Sequence, residues 1–208
     1  AIMTAIFDYG AGSLFSLSSS LRAVGETPVV TGNPEQIKRA DRLILPGVGA
    51  FGDAMEKLKK DGLDKVIKGE ALSGKPLLGI CLGMQLLFDK SFEFGEREGL
   101  GLISGSVVPM RGRLPGSLKI PHIGWNSLEL TGKSRIFRFI NSGDWVYFVH
   151  SYFADGCEEN VTAVTEYGIK LTAAAENGNV FGCQFHPEKS GETGLDILRA
   201  FCALEDGI

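Results

Sequence analysis

Cysteine, histidine and long apolar runs are all scarce in this chain, and each shortage excludes something. Four cysteines, Cys81, Cys157, Cys183 and Cys202, are spread over 208 residues. They are too few and too far apart for the disulfide framework of a small secreted domain. No two form C-x-x-C, so a zinc site is not indicated and no metal is expected. No apolar run approaches the roughly 20 residues that span a bilayer. The opening "AIMTAIFDYG" has no basic n-region and no cleavage pattern; Met3 reads as the natural start, with Ala1 and Ile2 a cloning remnant. Basic clusters are also missing. The formal net charge is −4, and the densest lysine run, "KLKK" at 57–60, reads as the wet face of a helix. Nucleic acid and membrane are therefore not expected partners. A reducing cytoplasm fits best, and it keeps a thiol free to react.

What is present is ordinary for a soluble globular chain: 44% hydrophobic and 22% charged residues, enough to bury a core. No repeat, low-complexity segment or linker interrupts it, so one domain over residues 1–208 is expected. The first half alternates strand and helix. "TAIFDY" (4–9), "TPVVT" (27–31), "DRLILPG" (41–47) and "KPLLGI" (75–80) read as strands. Leu14, Leu17, Leu21 and Val24 recur at helical spacing, Asn33-Pro34 is a helix cap, and a polar amphipathic helical region fills about 51–73. In the second half, 104–110, 119–130, 145–153, 161–166, 169–176 and 179–185 read as strands joined by short turns, with Asn177-Gly178 a hairpin signal. Residues 193–205 close the chain as an amphipathic helix. The expected fold is α/β: a mostly parallel central sheet flanked by helices, with an antiparallel part added in the C-terminal half.

One junction carries chemistry. "GICLGMQ" (79–85) sets Cys81 between a strand and a helix, with Gly79 and Gly83 two residues to either side. Gly-x-Cys-x-Gly is the pattern of a nucleophile elbow, a sharp turn that lifts the side chain above the sheet end. The glycines remove side chains that would collide across it. The helix N-terminus favours negative charge on sulfur, and the Leu82 N–H is free to face an oxyanion. A buried structural cysteine in a βα turn has the same signature, so the motif needs a base. The three histidines are His122, His150 and His186. His186, in "GCQFHPEKS", has Glu188 at i+2 across Pro187. In an extended segment i and i+2 project to one side, so Glu188 is placed to orient an imidazole that takes the thiol proton.

"GICLGMQLLF" with "QFHPEKS" resembles the class I (triad-type) glutamine amidotransferases. "DYGAGSLFSL", "LPGVGAFGDAM", "IPHIGWN" and "YFVHSYF" narrow the resemblance to the branch that serves imidazole glycerol phosphate synthase in histidine biosynthesis. It runs over essentially the whole chain, with the motifs in the expected order. It implies Cys81 as nucleophile, His186 as base and acid, and Glu188 as the orienting group. Gly49, in "PGVG" (46–49), and Leu82 would supply the oxyanion-hole N–H groups. Gln85, Glu93, His150, Ser151 and Tyr152 would contact L-glutamine. Trp125, Tyr147 and Lys189 would face a (βα)₈-barrel cyclase/synthase subunit, the partner in a heterodimer; the other reading of Trp125 is a core tryptophan. No cofactor is implied. Two places depart from the family: Ser13 stands where Asn is usual, and "DKSFEFGERE" around Glu93 replaces an acidic "SSEEG"-like run. Three rivals stay in view, the weakest of them an α/β protein of the same layer order but different chemistry, which would not explain His186-Pro187-Glu188. A glutaminase serving a different synthase is opposed by "PGVG" together with "IPHIGWN". A scaffold with a vestigial triad is opposed by an intact Cys81, His186 and Glu188.

Overall fold

The computed structural model describes residues 2–12 and 14–204; the departure at Ser13 lies outside them. From the N-terminus, β1 (Thr4–Phe7) leads through α1 (Leu14–Ala23), β2 (Val29–Thr31), α2 (Pro34–Arg39), β3 (Arg42–Leu45), α3 (Phe51–Lys60), α4 (Leu63–Leu72) and β4 (Leu77–Ile80) to the short α5 (Leu82–Leu86). The chain then turns mainly to strand: β5 (Phe88–Ser91), β6 (Arg97–Glu98), β7 (Ile103–Pro109), β8 (His122–Ser127), β9 (Glu129–Leu130), β10 (Trp145–His150), β11 (Tyr152–Asp155), β12 (Val161–Tyr167), β13 (Ile169–Asn177) and β14 (Val180–Cys183). The last helix is α6 (Gly191–Cys202).

The main sheet has eight strands in the order β2-β1-β3-β4-β14-β13-β12-β9. Helical crossovers separate β1 to β4, and those strands pair in parallel, as crossovers require. β14 extends the parallel set beside β4, with Phe181 opposite Leu78 and Cys183 opposite Ile80. A two-residue turn at Gly178-Asn179 then reverses direction, so β13, β12 and β9 add on antiparallel. β1, β3, β4 and β14 are buried at every position, because helices cover both faces. Phe7, Leu43, Leu45 and Leu77 pack toward α2, α3, α4 and α5. Ile6, Ile44, Leu78 and Ile80 pack toward α1 and α6. The expected architecture is the observed one.

Details differ where tertiary pairing decides. The 51–73 region is two helices, broken where Gly62 turns left-handed. The run 145–153 is two strands of different sheets: β10 pairs with β8 in a two-stranded ribbon, and β11 joins the four-stranded sheet β11-β7-β5-β6. The run 119–130 likewise divides into β8 and β9. The turn of the last hairpin lies one residue later than Asn177-Gly178, since Asn177 still pairs with Val180. Among the described residues no helix is long and apolar enough to cross a membrane. Because β1, β3, β4 and β14 run parallel, Tyr9, Pro46, Cys81 and His186 all follow carboxyl ends of strands on one edge, where open α/β sheets bind ligands.

Candidate active site

Cys81 departs from ordinary backbone geometry. Its φ of 55° and ψ of −113° lie where a residue with a side chain is strained and persists only when its surroundings over-determine it. Here the Cys81 N–H donates to the Cys183 carbonyl at 2.8 Å, and the Cys81 carbonyl accepts from the Gln85 N–H at 3.2 Å. The two glycines have a direct steric reason. A Cβ at Gly79 would lie 2.7 Å from the Gly83 carbonyl oxygen, and one at Gly83 would lie 1.8 Å from that of Leu45. The elbow therefore closes only without side chains at both positions.

His186 follows β14, and its backbone N–H donates to the Tyr147 carbonyl at 3.0 Å. Its Nδ1 is 2.5 Å from Glu188 Oε1. The pair is not made by an extended segment, as the i, i+2 argument expects: Pro187–Lys189 is a 3-10 turn, because Pro187 favours the first position of a helical turn. The turn brings the carboxylate back onto the ring. His186 Nε2 and Glu188 Oε2 are buried and make no conventional hydrogen bond. With Nδ1 bonded to the carboxylate, Nε2 is the atom left for chemistry.

A cavity of about 300 Å³ is lined by Val48, Gly49, Cys81, Leu82, Gln85, Glu93, Val149, His150, Ser151, Tyr152 and His186. It thus gathers every expected oxyanion-hole and glutamine-contact residue around the cysteine and histidine, with Glu188 behind the imidazole. Gln85 Nε2 donates to the Tyr152 carbonyl at 3.3 Å and to Gln184 Oε1 at 3.1 Å. The Glu93 carboxyl is raised above the usual carboxylate range, first by burial and then by Asp53, against a bond from the Phe51 N–H. The thiol of Cys81 donates weakly to the Val149 carbonyl at 3.8 Å.

Three contributors escaped the sequence reading. Gln184, fully buried, points Nε2 at Cys81 Sγ from 3.8 Å; its place just past β14, two residues before His186, was the available signal. Val149 offered none beyond its neighbourhood. Tyr9, also buried, donates its hydroxyl to the Pro46 carbonyl at 2.7 Å, a contact across 37 residues that no local pattern announces. Its hydroxyl pKa is raised by burial and by Cys81.

Trp125 is 53% exposed, not a core residue. β8 and β10 pair with Trp125 opposite Tyr147, and their rings meet edge-to-face with centroids 6.2 Å apart. The same ribbon face carries the exposed Ile123 and Trp145. Lys189 is exposed on the 3-10 turn beside Glu188.

The histidines titrate in opposite senses. Burial alone lowers His186, but its interactions with Cys81 and Glu188 raise it to about 9. Burial pushes His122 down to about 4 and His150 down to about 3. In the unfolded chain each sits near 6.5. The stabilisation from His186 is complete below about 6.5 and is lost as pH rises through about 9. The stabilisation from keeping His122 and His150 neutral is complete above about 6.5 and is lost as pH falls toward their folded values. Burial of the thiols of Cys157 and Cys202, raised to about 11 and about 12, adds to the alkaline loss. Stability is therefore expected to peak near pH 6.5. Urea unfolding midpoints from pH 5 to 9 check this, and a flat profile would contradict it.

The sequence comparisons agree with this geometry. The glutamine amidotransferase class-I family model matches residues 5–203. The chain is 52% identical over 200 residues to the imidazole glycerol phosphate synthase subunit HisH of Caldanaerobacter subterraneus subsp. tengcongensis, covering 96% of this chain and 97% of that protein. It is 47% identical over 199 residues to the HisH of Methanothermobacter thermautotrophicus, covering 96% and 97%. In fold it is similar to the structure of PurLQS from Thermotoga maritima, with TM-score 0.76, 21% identity and 97% of each chain covered. With the family model spanning nearly the whole sequence and HisH relatives about half identical over 96% of it, the chain belongs to the class-I glutamine amidotransferases, in the branch of the HisH subunits.

Proposed function

We propose that this chain is the glutaminase subunit of an imidazole glycerol phosphate synthase in histidine biosynthesis. It hydrolyses L-glutamine to glutamate and passes ammonia to a (βα)₈-barrel synthase subunit, its partner in a cytoplasmic heterodimer. The whole chain acts as one domain, without metal or organic cofactor. The observation that carries the reading is the single cavity shared by Gly49, Cys81, Leu82, Gln85 and His186, with Glu188 bonded to the far side of the imidazole.

In this mechanism Cys81 gives its proton to His186 Nε2, and the sulfur attacks the γ-carboxamide carbon of glutamine. The N–H groups of Gly49 and Leu82 hold the developing oxyanion. His186 hands the proton to the leaving nitrogen, and ammonia departs from the thioester. His186 then takes a proton from water, whose oxygen attacks the thioester carbonyl. Glutamate leaves, and the proton returns to the Cys81 sulfur. Glu188 keeps the Nδ1 proton in place throughout. The buried carboxylate of Glu93 fits the α-ammonium group of glutamine. Ammonia acts as a nucleophile only when unprotonated, which favours direct transfer over release into water.

The test is reconstitution with the barrel subunit, its aminoimidazole-carboxamide ribonucleotide substrate and glutamine. Glutamate and imidazole glycerol phosphate should form together. If ammonium salts supported synthesis but glutamine with this chain did not, the assignment would fail; a different synthase accepting the ammonia would redirect it.

A further inference from the structure

We propose that His122 is a positioning residue for the glutamine pocket and acts through His150; this rests on the glutaminase reading above. His122 does not line the cavity. It stands on β8, directly opposite His150 on β10, and the two rings belong to one chain of hydrogen bonds. His150 Nδ1 is 2.9 Å from the Tyr152 carbonyl, which can only accept, so Nδ1 carries the proton. In a neutral imidazole the other nitrogen is then an acceptor. His150 Nε2 lies 2.9 Å from His122 Nδ1, so His122 also carries its proton on Nδ1. His122 Nε2 then accepts from Asn126 Nδ2 at 3.2 Å. The Asn126 amide is oriented independently: Nδ2 donates to the Glu166 carbonyl at 2.9 Å, and Oδ1 accepts from the Ser127 N–H at 2.8 Å. Only one arrangement of protons satisfies all five hydrogen bonds. Turning either ring over would break the partner's bond.

Both rings are buried. His122 is held flat against Tyr167, centroids 4.2 Å apart, and packs on Phe148 at 4.8 Å. Burial favours the neutral forms that the chain of bonds needs. With both nitrogens engaged, His150 has none left for glutamine. Its work in the wall is different: its Nδ1–H fixes the Tyr152 carbonyl, which also accepts from Gln85. That bond closes the step at Ser151, where the chain leaves the ribbon for another sheet. The set of Gln85, Ser151 and Tyr152 around the cavity is thus held from behind by His122.

Removing the His122 donor leaves His150 Nε2 buried and unpaired, and frees the ring to turn. In the full chain reconstituted with its synthase partner, His122→Leu is expected to raise KM for glutamine about tenfold, the effect of one lost buried hydrogen bond, with kcat changed far less. His122→Asn sets an amide N–H where Nδ1 stands and is expected to recover most of the affinity. Synthesis from ammonium should be unaffected in both. A purely packing role would show the reverse order, with the apolar variant tolerated better. Proton–nitrogen correlation spectra of the unmodified chain supply a readout that needs neither variant nor activity: both His122 and His150 should appear as Nδ1–H tautomers. Nε2–H tautomers, or an unchanged KM in His122→Leu, would overturn the proposal. A reconstituted wild type inert toward glutamine would instead sink the glutaminase reading itself.

Discussion

Replacing Cys81 by alanine is expected to lower glutamine hydrolysis by at least about 10⁴-fold, while the reconstituted complex still makes product from ammonium salts. The loss is large because, among the described residues, Cys81 is the one thiol that lines the cavity; Cys157, Cys183 and Cys202 are buried elsewhere. The fold should survive, because alanine is smaller and both elbow glycines remain. Alanine keeps the Cβ and therefore the same backbone strain at position 81, and Cys183 and Gln85 still hold that backbone from both sides. His186→Ala should cost nearly as much, because Nε2 handles the proton in both half-reactions. Glu188→Gln should cost less, since the carboxylate orients the ring and takes no proton. A Cys81→Ala chain that still hydrolysed glutamine near the wild-type rate would remove the sulfur from the mechanism. One that lost ammonium-driven synthesis as well would mean that the substitution disturbed the assembly.

How far this could be read beforehand depends on the range of the interaction concerned. The elbow was legible because its residues are local: Gly79, Cys81 and Gly83 stand within five residues, and the conflict at Gly79 lies within that turn, although the one at Gly83, against the Leu45 carbonyl of β3, is tertiary. The partnership of His186 and Glu188 was legible for the same reason, although the proline makes a 3-10 turn and not an extended segment. Strands β1, β3, β4 and β14 announced themselves as short apolar runs because both their faces are buried. The runs 119–130 and 145–153 did not reveal that each divides, since alternation marks a strand without saying which sheet it joins. Trp125 shows the same limit: an aromatic residue at a strand position reads alike whether it faces a core or an interface. The Tyr9 bond to Pro46 and the pairing of His122 with His150 are products of tertiary structure, and no spacing encodes them.

The chain is expected to be a poor glutaminase alone and a good one in complex, with a rise of about 10² to 10³ when the partner carries its nucleotide. That figure is the usual cost of a missing oxyanion donor. The loop after β3 has a fixed half and a free half. Tyr9 holds the Pro46 carbonyl at 2.7 Å. A Cβ at Gly47 would come within 2.7 Å of that hydroxyl and 3.1 Å of Leu82 Cβ, so the chain is wedged there. Beyond it Val48 is 50% exposed, and Gly49 sits at φ +98° with nothing near its missing side chain. Rotation is therefore confined to the peptides around Val48, where it meets little steric resistance. One orientation turns an N–H to the oxyanion; the other turns a carbonyl there and withholds stabilisation. The ribbon offers a route by which a partner can bias the choice. Its outer face carries Trp125 and Tyr147, an apt anchor pair for an interface. The Tyr147 backbone accepts from the His186 N–H at 3.0 Å and donates to Ser190 Oγ at 3.0 Å, and the Val149 carbonyl faces Cys81. Pressure on the ribbon is thus felt at the nucleophile and at the base. Linkage makes the effect reciprocal in binding, so a glutamine analogue should tighten nucleotide binding on the partner. The measurement is glutamine hydrolysis by the chain alone, then with the proposed barrel subunit, then with its nucleotide added, and the increase should come mainly at the last step. Trp125→Ala should weaken assembly or blunt that increase. An isolated chain already at full rate, indifferent to partner and nucleotide, would leave the loop at 46–49 with no gating role.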